Sequence, residues 1–117
     1  PKIFYVLWFR TDESGKFLWP GYGENSRVLE WIFDRCDGNV HAEETPIGRL
    51  PRPEDLDTKG LTIPVENLKK LLSVDVEGWT AEVPSIREHF AKFGDHLPKG
   101  LREEVDGLEK RLKNSKK

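Results

Sequence analysis

The chain has seven consecutive apolar residues near its start, at positions 3–9 (IFYVLWF). This run strongly restricts the folds that the chain can adopt. The run is rich in β-branched and aromatic residues and shows little polar alternation, which is typical of a strand buried on both faces. Such a strand needs pairing partners, and the rest of the sequence offers few. We therefore expect an α+β fold that is mostly helical, with one N-terminal buried strand.

The remaining pattern divides the chain into four successive parts. Apolar residues at helical spacing predict helices, whereas glycine and proline clusters predict loops. The expected order is a strand with an aromatic loop over residues 1–23, a helix over 24–38, a loop over 39–63 with a short extended piece at 45–50, and a helical part over 64–117.

Several single residues refine this prediction. Asn25 or Ser26 is expected to cap the first helix, and Cys36 lies on its apolar stripe, where a buried and inert thiol is expected. Asp75 is expected to cap a later helix. Pro84 should kink that helix or divide it into two segments, because proline removes a backbone donor.

The last two helices show their inward faces in the sequence. The apolar residues of the first recur at spacings of four and three, and those of the second follow a similar period. The residues expected to point inward are Trp79, Val83, Ile86, Phe90 and Phe93, then Leu101, Val105, Leu108 and Leu112.

Composition excludes several classes of function. Charged residues make up 34% of the 117 residues, yet the net charge is only −2, so no broad attraction to nucleic acid or to an anionic membrane is expected. No apolar run reaches the length of a membrane span. The single cysteine cannot form an internal disulfide, which favours an intracellular, cytoplasmic location. The chain begins at Pro1 and contains no methionine, so we expect it to be a piece of a longer protein.

The sequence contains no evident catalytic constellation. His41, His89 and His96 lack the spacing and the carboxylate neighbours of a zinc site, and surface positions are expected for them. A phosphate-binding P-loop motif is absent. The segment GYGENS at residues 21–26 resembles a dinucleotide-binding fingerprint only weakly, because its third glycine is missing and no βαβ pattern follows.

What stands out is a crowd of aromatic residues within 15 positions: Trp8, Phe9, Phe17, Trp19 and Tyr22. They can form ordinary core and loop packing, or a slot for a planar ring. Stacking stabilises a bound base by roughly 1–3 kcal/mol but does not distinguish bases, so discrimination needs a hydrogen-bonding group in the ring plane. The Asn25 amide, directly after the glycine loop, offers both donor and acceptor. Both interpretations remain open on these residues alone.

The same stretch resembles GTP-dependent phosphoenolpyruvate carboxykinases in their C-terminal region. The matching segments are PKIFYVLWFR, then GKFLWPGYGENSRVLEW, then TPIG at residues 45–48. The resemblance implies a place within the larger α/β, P-loop-containing C-terminal domain, as the last part of its GTP-binding portion. The sequence departs from the family pattern at two positions. Tyr22 stands where the family has phenylalanine, and Leu7 stands where the family usually has asparagine.

The resemblance further implies a guanine site. The base would lie between the rings of Phe9 and Tyr22, with Phe17 closing the pocket edge and Asn25 reading the edge of the base. The residues implied to bind guanine are Phe9, Phe17, Tyr22, Gly23, Glu24 and Asn25.

The family's reaction converts oxaloacetate and GTP to phosphoenolpyruvate, carbon dioxide and GDP, with Mn²⁺ or Mg²⁺ as the metal, and serves gluconeogenesis. The resemblance implies that the phosphate loop, metal ligands and substrate-binding residues belong to the rest of the parent chain. No catalytic or metal-binding residue is therefore expected here, and the 117 residues alone are expected to be inactive. They are also expected to self-associate through the apolar strand. The alternative function is a free-standing helical protein-interaction module whose aromatic loop is core. ATP-using carboxykinases are a third possibility, but they lack the FLWPG-x-GEN stretch.

Overall fold

The computed structural model describes residues 1–116 and is mostly helical. Four helices, α1 (Asn25–Cys36), α2 (Val65–Leu71), α3 (Val76–Ala91) and α4 (Lys99–Ser115), are joined by turns and one hairpin of β1 (Glu43–Thr45) and β2 (Gly48–Leu50). Short 3-10 turns cover Tyr22–Glu24, Pro53–Asp55 and Gly94–His96. The chain forms two compact units, one of Pro1–Glu44 with Arg49–Ser73, the other of Thr45–Gly48 with the chain from Val74 onward.

The predicted N-terminal buried strand is wrong for this chain. Residues 3–9 form no strand, and most of their side chains are exposed. Only Phe4 and Trp8 turn inward, against the core of the first unit. A strand exists only through hydrogen bonds to a neighbour. Within residues 1–116, the hairpin and one bridge from Thr11 to Phe17 are the only such pairings.

Helix α1 confirms the predicted helix but not the details at its ends. Glu24, not Asn25 or Ser26, occupies the N-cap, and its side chain makes no capping hydrogen bond. Cys36 is exposed, so the expectation of a buried thiol is wrong. It is the last residue of the helix, and Phe33, three positions earlier on the same stripe, is exposed as well, so this end of the stripe is not covered. The Lys2 ammonium instead hydrogen-bonds the Cys36 carbonyl oxygen.

The core of the first unit is built around two tryptophans. Trp19, Trp31, Leu56 and Leu68 are buried together. The edge of the Trp31 ring packs against Phe4 at a centroid distance of 6.2 Å and an interplanar angle of 88°. The Trp31 indole N–H is buried without a hydrogen-bond partner among the described residues. The Trp19 indole N–H, by contrast, donates a hydrogen bond to Asn25. The two indoles of this core therefore differ in whether their N–H group is hydrogen-bonded.

The second unit contains the helices α3 and α4, which share their own apolar core. Val83, Val105 and Leu112 are buried, and Ile86, Phe90 and Leu108 pack against them. Across the surface of the pair, the Arg87 guanidinium bonds Asp106 at 3.0 Å and Glu109 at 2.9 Å. Exposed ion pairs of this kind contribute about 0–1 kcal/mol, so the apolar core carries most of the stability.

The predicted inward face of these helices is partly wrong. Trp79, Phe93 and Leu101 are exposed. Trp79 and Leu101 lie in the first turns of α3 and α4, and Phe93 lies beyond the end of α3, whereas the buried core forms farther along each helix.

The predicted caps and breaks in α3 have mixed outcomes. Asp75 is the N-cap, as predicted, and its carboxylate accepts a hydrogen bond from the Gly78 amide at 3.0 Å. Pro84 lies inside one continuous helix, so the division into two segments is wrong. The helix tolerates the proline because packing of Val83 and its neighbours holds the segment in place.

Candidate functional site

The exposed aromatic rings of the first unit begin with a pair across a tight turn. Phe9 and Phe17 lie with ring centroids 6.1 Å apart at an interplanar angle of 57°. The antiparallel bridge between Thr11 and Phe17 holds them there. Its two hydrogen bonds run from the Leu18 amide to the Arg10 carbonyl and from the Asp12 amide to the Lys16 carbonyl, both at 2.9 Å. Both rings are exposed, Phe9 by 68% and Phe17 by 59%. The pair therefore presents aromatic surface to solvent instead of closing a core.

Asp12 organises the turn between the two rings. Its Oδ1 accepts hydrogen bonds from the Ser14 hydroxyl at 2.6 Å, the Ser14 amide at 2.9 Å and the Lys16 amide at 3.0 Å. The Ser14 hydroxyl bond and the Lys16 amide bond lower the pKa of Asp12 below its usual range, because they favour the charged carboxylate. Asp12 thus stays charged at any pH above its usual pKa range. Over those pH values the turn should keep its conformation and hold Phe17 in the same position.

Arg10 fixes the strand-like end of the same turn to helix α2. Its guanidinium donates to the Leu71 carbonyl at 2.9 Å, the Ser73 carbonyl at 2.8 Å and the Ser73 hydroxyl at 3.2 Å. Carbonyl groups at a helix C-terminus lack partners within the helix, so a cation there satisfies both charge and hydrogen bonding. Phe9, the residue before Arg10, is therefore anchored through its neighbour's contacts.

The glycine loop that follows presents a third ring. Gly21 has φ +76°, and Tyr22, which is not glycine, has φ +43°. A bulky residue rarely adopts a positive φ, and the conformation costs of the order of 1–3 kcal/mol. The Tyr22 side chain is 97% exposed. The loop thus adopts a strained backbone conformation at a residue whose aromatic ring points away from the core.

Asn25 meets the core through its side chain. The buried indole N–H of Trp19 donates a 2.8 Å hydrogen bond to Asn25 Oδ1. No group among residues 1–116 accepts a hydrogen bond from the Asn25 amide nitrogen. The amide of Asn25 is therefore held by its oxygen, and its nitrogen has no partner in the described part of the chain.

Glu24 is engaged on another side. Its carboxylate bonds the Arg27 guanidinium, which also donates to the Asp57 carbonyl at 2.8 Å. The Glu24 hydrogen bond raises the pKa of Arg27 above its usual value. The charge of Glu24 is thus balanced inside the first unit.

The structure therefore brings together some of the predicted site residues and separates others by role. Phe9 and Phe17 form a pair. Tyr22 and Gly23 lie in the 3-10 turn that leads into Asn25 at the start of α1, and the side chain of Glu24 turns to Arg27. The sequence did not reveal the bond between Trp19 and Asn25, because six positions across a Pro-Gly turn imply no fixed geometry. The role of Arg10 was also missed, since its partners lie more than 60 positions away.

The histidines lie outside this group. His41, His89 and His96 are all exposed, as predicted. Among residues 1–116, no three His, Cys, Asp or Glu side chains are placed to hold a metal ion. In the same part of the chain, no helix combines the length and apolarity that crossing a bilayer requires.

Comparison with known proteins identifies the family. Residues 1–111 match the phosphoenolpyruvate carboxykinase C-terminal P-loop domain. The chain is 55% identical over 116 residues to a phosphoenolpyruvate carboxykinase [GTP] of Treponema pallidum, covering 98% of this chain and 19% of the relative. It is 54% identical over 114 residues to the protein of the same name from Neocallimastix frontalis, and 52% identical to that of Chlamydia muridarum, covering 97% of this chain and 19% of the relative in each case.

These matches bear on the two functional classes that the residues left open. The chain spans about a fifth of the length of these relatives. Nothing in the matches supports a free-standing interaction module, whereas the match to the enzyme domain covers nearly all of the chain. The chain belongs to the GTP-dependent phosphoenolpyruvate carboxykinase family, within its C-terminal P-loop domain.

Proposed function

We propose that this chain supplies the guanine-binding pocket of a GTP-dependent phosphoenolpyruvate carboxykinase. The longer protein would convert oxaloacetate and GTP to phosphoenolpyruvate, carbon dioxide and GDP, a step of gluconeogenesis in the cytoplasm. The observation that carries the proposal is that Phe9, Phe17 and Tyr22 are exposed, and that the Asn25 amide nitrogen, three positions after Tyr22, has no partner within residues 1–116. Exposed aromatic rings are costly in water unless something covers them.

Stacking would supply the affinity of this pocket. A purine between the rings of Phe9 and Tyr22, with Phe17 at its edge, gains roughly 1–3 kcal/mol from each aromatic contact. The backbone around Phe9 and Phe17 is already fixed by the Asp12 turn and the Arg10 contacts, so little ordering remains to be done on binding. The strained loop at Tyr22 presents the other ring in the same way.

The chemistry of the reaction belongs to other parts of the longer protein. A divalent metal, Mn²⁺ or Mg²⁺, would stabilise the charge that develops during phosphoryl transfer. We expect the ligands of that ion to lie in those other parts, and the contribution of this chain to be binding and orienting the nucleotide. That the 117 residues alone lack activity stays a prediction.

Asn25→Ala in the longer protein tests the proposal. We expect the preference for GTP over ATP to fall more than the preference for GTP over ITP, because adenine differs at both the 6-position and N1, whereas hypoxanthine lacks only the 2-amino group. Asn25 is remote from the transferred phosphoryl group, so the loss should appear mainly in KM, with kcat preserved.

The assay is steady-state formation of phosphoenolpyruvate with each nucleotide. Asn39→Ala makes the same substitution at an exposed position of the first unit and should leave all three KM values unchanged. The preference is measured as the KM for ATP divided by the KM for GTP. If this ratio is the same in Asn25→Ala as in the unaltered protein, Asn25 does not read the base.

The 117 residues alone should also self-associate. Ile3, Tyr5, Leu7 and Phe9 expose apolar side chains along a segment whose backbone forms no sheet. Such a segment can pair with a second copy and cover its apolar face. We expect sedimentation to show a dimer or larger assembly that Leu7→Ser weakens. Phe33→Ser, at an exposed position on α1, should not weaken it, and a monomer at high concentration would contradict the prediction.

A further inference from the structure

The hydrogen bond from Trp19 to Asn25 carries an inference that rests on the proposed guanine pocket and deepens it. We propose that Trp19 is a specificity-determining positioning residue. By holding the oxygen of the Asn25 amide toward the core, it turns the amide N–H₂ toward the base and so selects 6-oxopurines over adenine.

The orientation of the Asn25 amide follows from the chemistry of its partner. An indole nitrogen donates a hydrogen bond and cannot accept one. The amide atom 2.8 Å from Trp19 Nε1 must therefore be the oxygen, and the nitrogen must point elsewhere. Trp19 is only 3% exposed and belongs to the core of the first unit, so its ring cannot turn to release the bond. The orientation of the amide is fixed before any ligand arrives.

A fixed amide reads fewer bases than a free one. A free asparagine suits adenine well, because its oxygen accepts from the 6-amino group while its nitrogen donates to N7. Guanine presents two acceptors on the same edge, O6 and N7, and has no use for the amide oxygen there. Because Trp19 lies in the core, its bond turns the Asn25 oxygen toward the core and the N–H₂ outward. An amide in this orientation can donate to guanine but presents no acceptor to the 6-amino group of adenine.

The position of Asn25 agrees with this role. Asparagine at the start of a helix commonly caps the helix with its side-chain oxygen. Here the N-cap is Glu24, and the Asn25 oxygen bonds the core indole instead. The side chain is therefore not occupied by the helix, and its nitrogen stays available for a ligand.

The core of the first unit offers a matched control for the test. Trp31 is buried in the same cluster as Trp19, but its indole N–H has no partner within residues 1–116. Trp19→Phe and Trp31→Phe thus remove the same group from the same core, and only the first removes a hydrogen bond to Asn25. Comparable losses of packing are expected from both.

The experiment measures GDP and ADP affinity by titration calorimetry in the longer protein that contains this chain. Trp19→Phe should lower the ratio of GDP to ADP affinity roughly tenfold, because the amide regains its adenine-compatible orientation. Trp31→Phe should leave the ratio within about twofold of its original value. A ratio unchanged by Trp19→Phe, or changed equally by both substitutions, would overturn the inference.

A second variant decides the matter if Trp19→Phe does not fold. Asn25→Asp keeps an oxygen for the Trp19 N–H but presents a second oxygen where the N–H₂ stood. It should bind GDP more weakly than Asn25→Ala does, since two acceptors then face each other. GDP affinity of Asn25→Asp equal to or better than that of Asn25→Ala would exclude a donor role.

The two proposals fail in different ways. If Asn25→Ala leaves GDP and ADP affinities unchanged, the guanine pocket itself is wrongly placed. If Asn25→Ala lowers the ratio of GDP to ADP affinity and Trp19→Phe does not, the pocket stands and only the role of Trp19 is wrong.

Discussion

Phe9→Ala or Tyr22→Ala in the longer protein should each weaken GTP binding about tenfold to a hundredfold. Each substitution removes one stacking face, and stacking on an aromatic side chain contributes roughly 1–3 kcal/mol per base. Tyr22→Phe should be nearly neutral, because the ring is retained and the exposed hydroxyl has no need of a protein partner. The measurement is the Kd for GTP, together with KM and kcat.

The control for these substitutions is Phe33→Ala, which truncates an exposed phenylalanine on helix α1 and should leave the Kd unchanged. The pattern expected from stacking is a rise in KM with kcat largely preserved, since the base lies far from the reacting phosphoryl group. If Phe9→Ala and Tyr22→Ala both leave the Kd for GTP unchanged, the exposed rings have another purpose and the pocket is wrongly assigned.

The largest loss of stability is expected from Leu112→Ala. Leu112 is 1% exposed and packs with Val83 and Val105 in the core of the second unit. Truncation of a buried leucine removes its transfer free energy and leaves a cavity, which together cost about 2–5 kcal/mol. Urea unfolding of the 117-residue chain, followed by amide hydrogen exchange in α4, would report the change.

Leu101→Ala is the matched control, because it makes the same substitution on the same helix at a position that is 43% exposed. It should cost less than about 1 kcal/mol. Equal losses from Leu101→Ala and Leu112→Ala would mean that α4 does not pack through the face that the structure shows.

Local signals in the sequence predicted much of this fold. Helical periodicity predicted α1, α3 and α4, and Asp75 was correctly predicted as a cap, because these features depend on residues a few positions apart. The predicted strand at residues 3–9 failed for the opposite reason. A strand depends on a partner elsewhere, and its apolar composition cannot say whether that partner lies in the same 117 residues.

The same distinction between local features and features that depend on distant residues applies to the candidate site. Resemblance to a family implies which residues would surround the base, and that assignment stays a prediction, but it does not reveal how their side chains are already engaged. The pairing of Glu24 with Arg27 and the bond from Trp19 to Asn25 join side chains across loop turns whose path the sequence does not determine. Arg10 illustrates the limit best, because its partners at the end of α2 become neighbours only through the tertiary fold.

At Tyr22, the residue that would best stabilise the loop is not the residue that would best bind a base. Glycine would adopt φ +43° without steric cost, so it is the residue that the loop itself prefers. It would also remove the ring. A chain that keeps tyrosine or phenylalanine here accepts a less stable fold to gain an aromatic surface. Mutagenesis that screens for thermal stability alone would therefore favour glycine at position 22 and select against the proposed nucleotide contact.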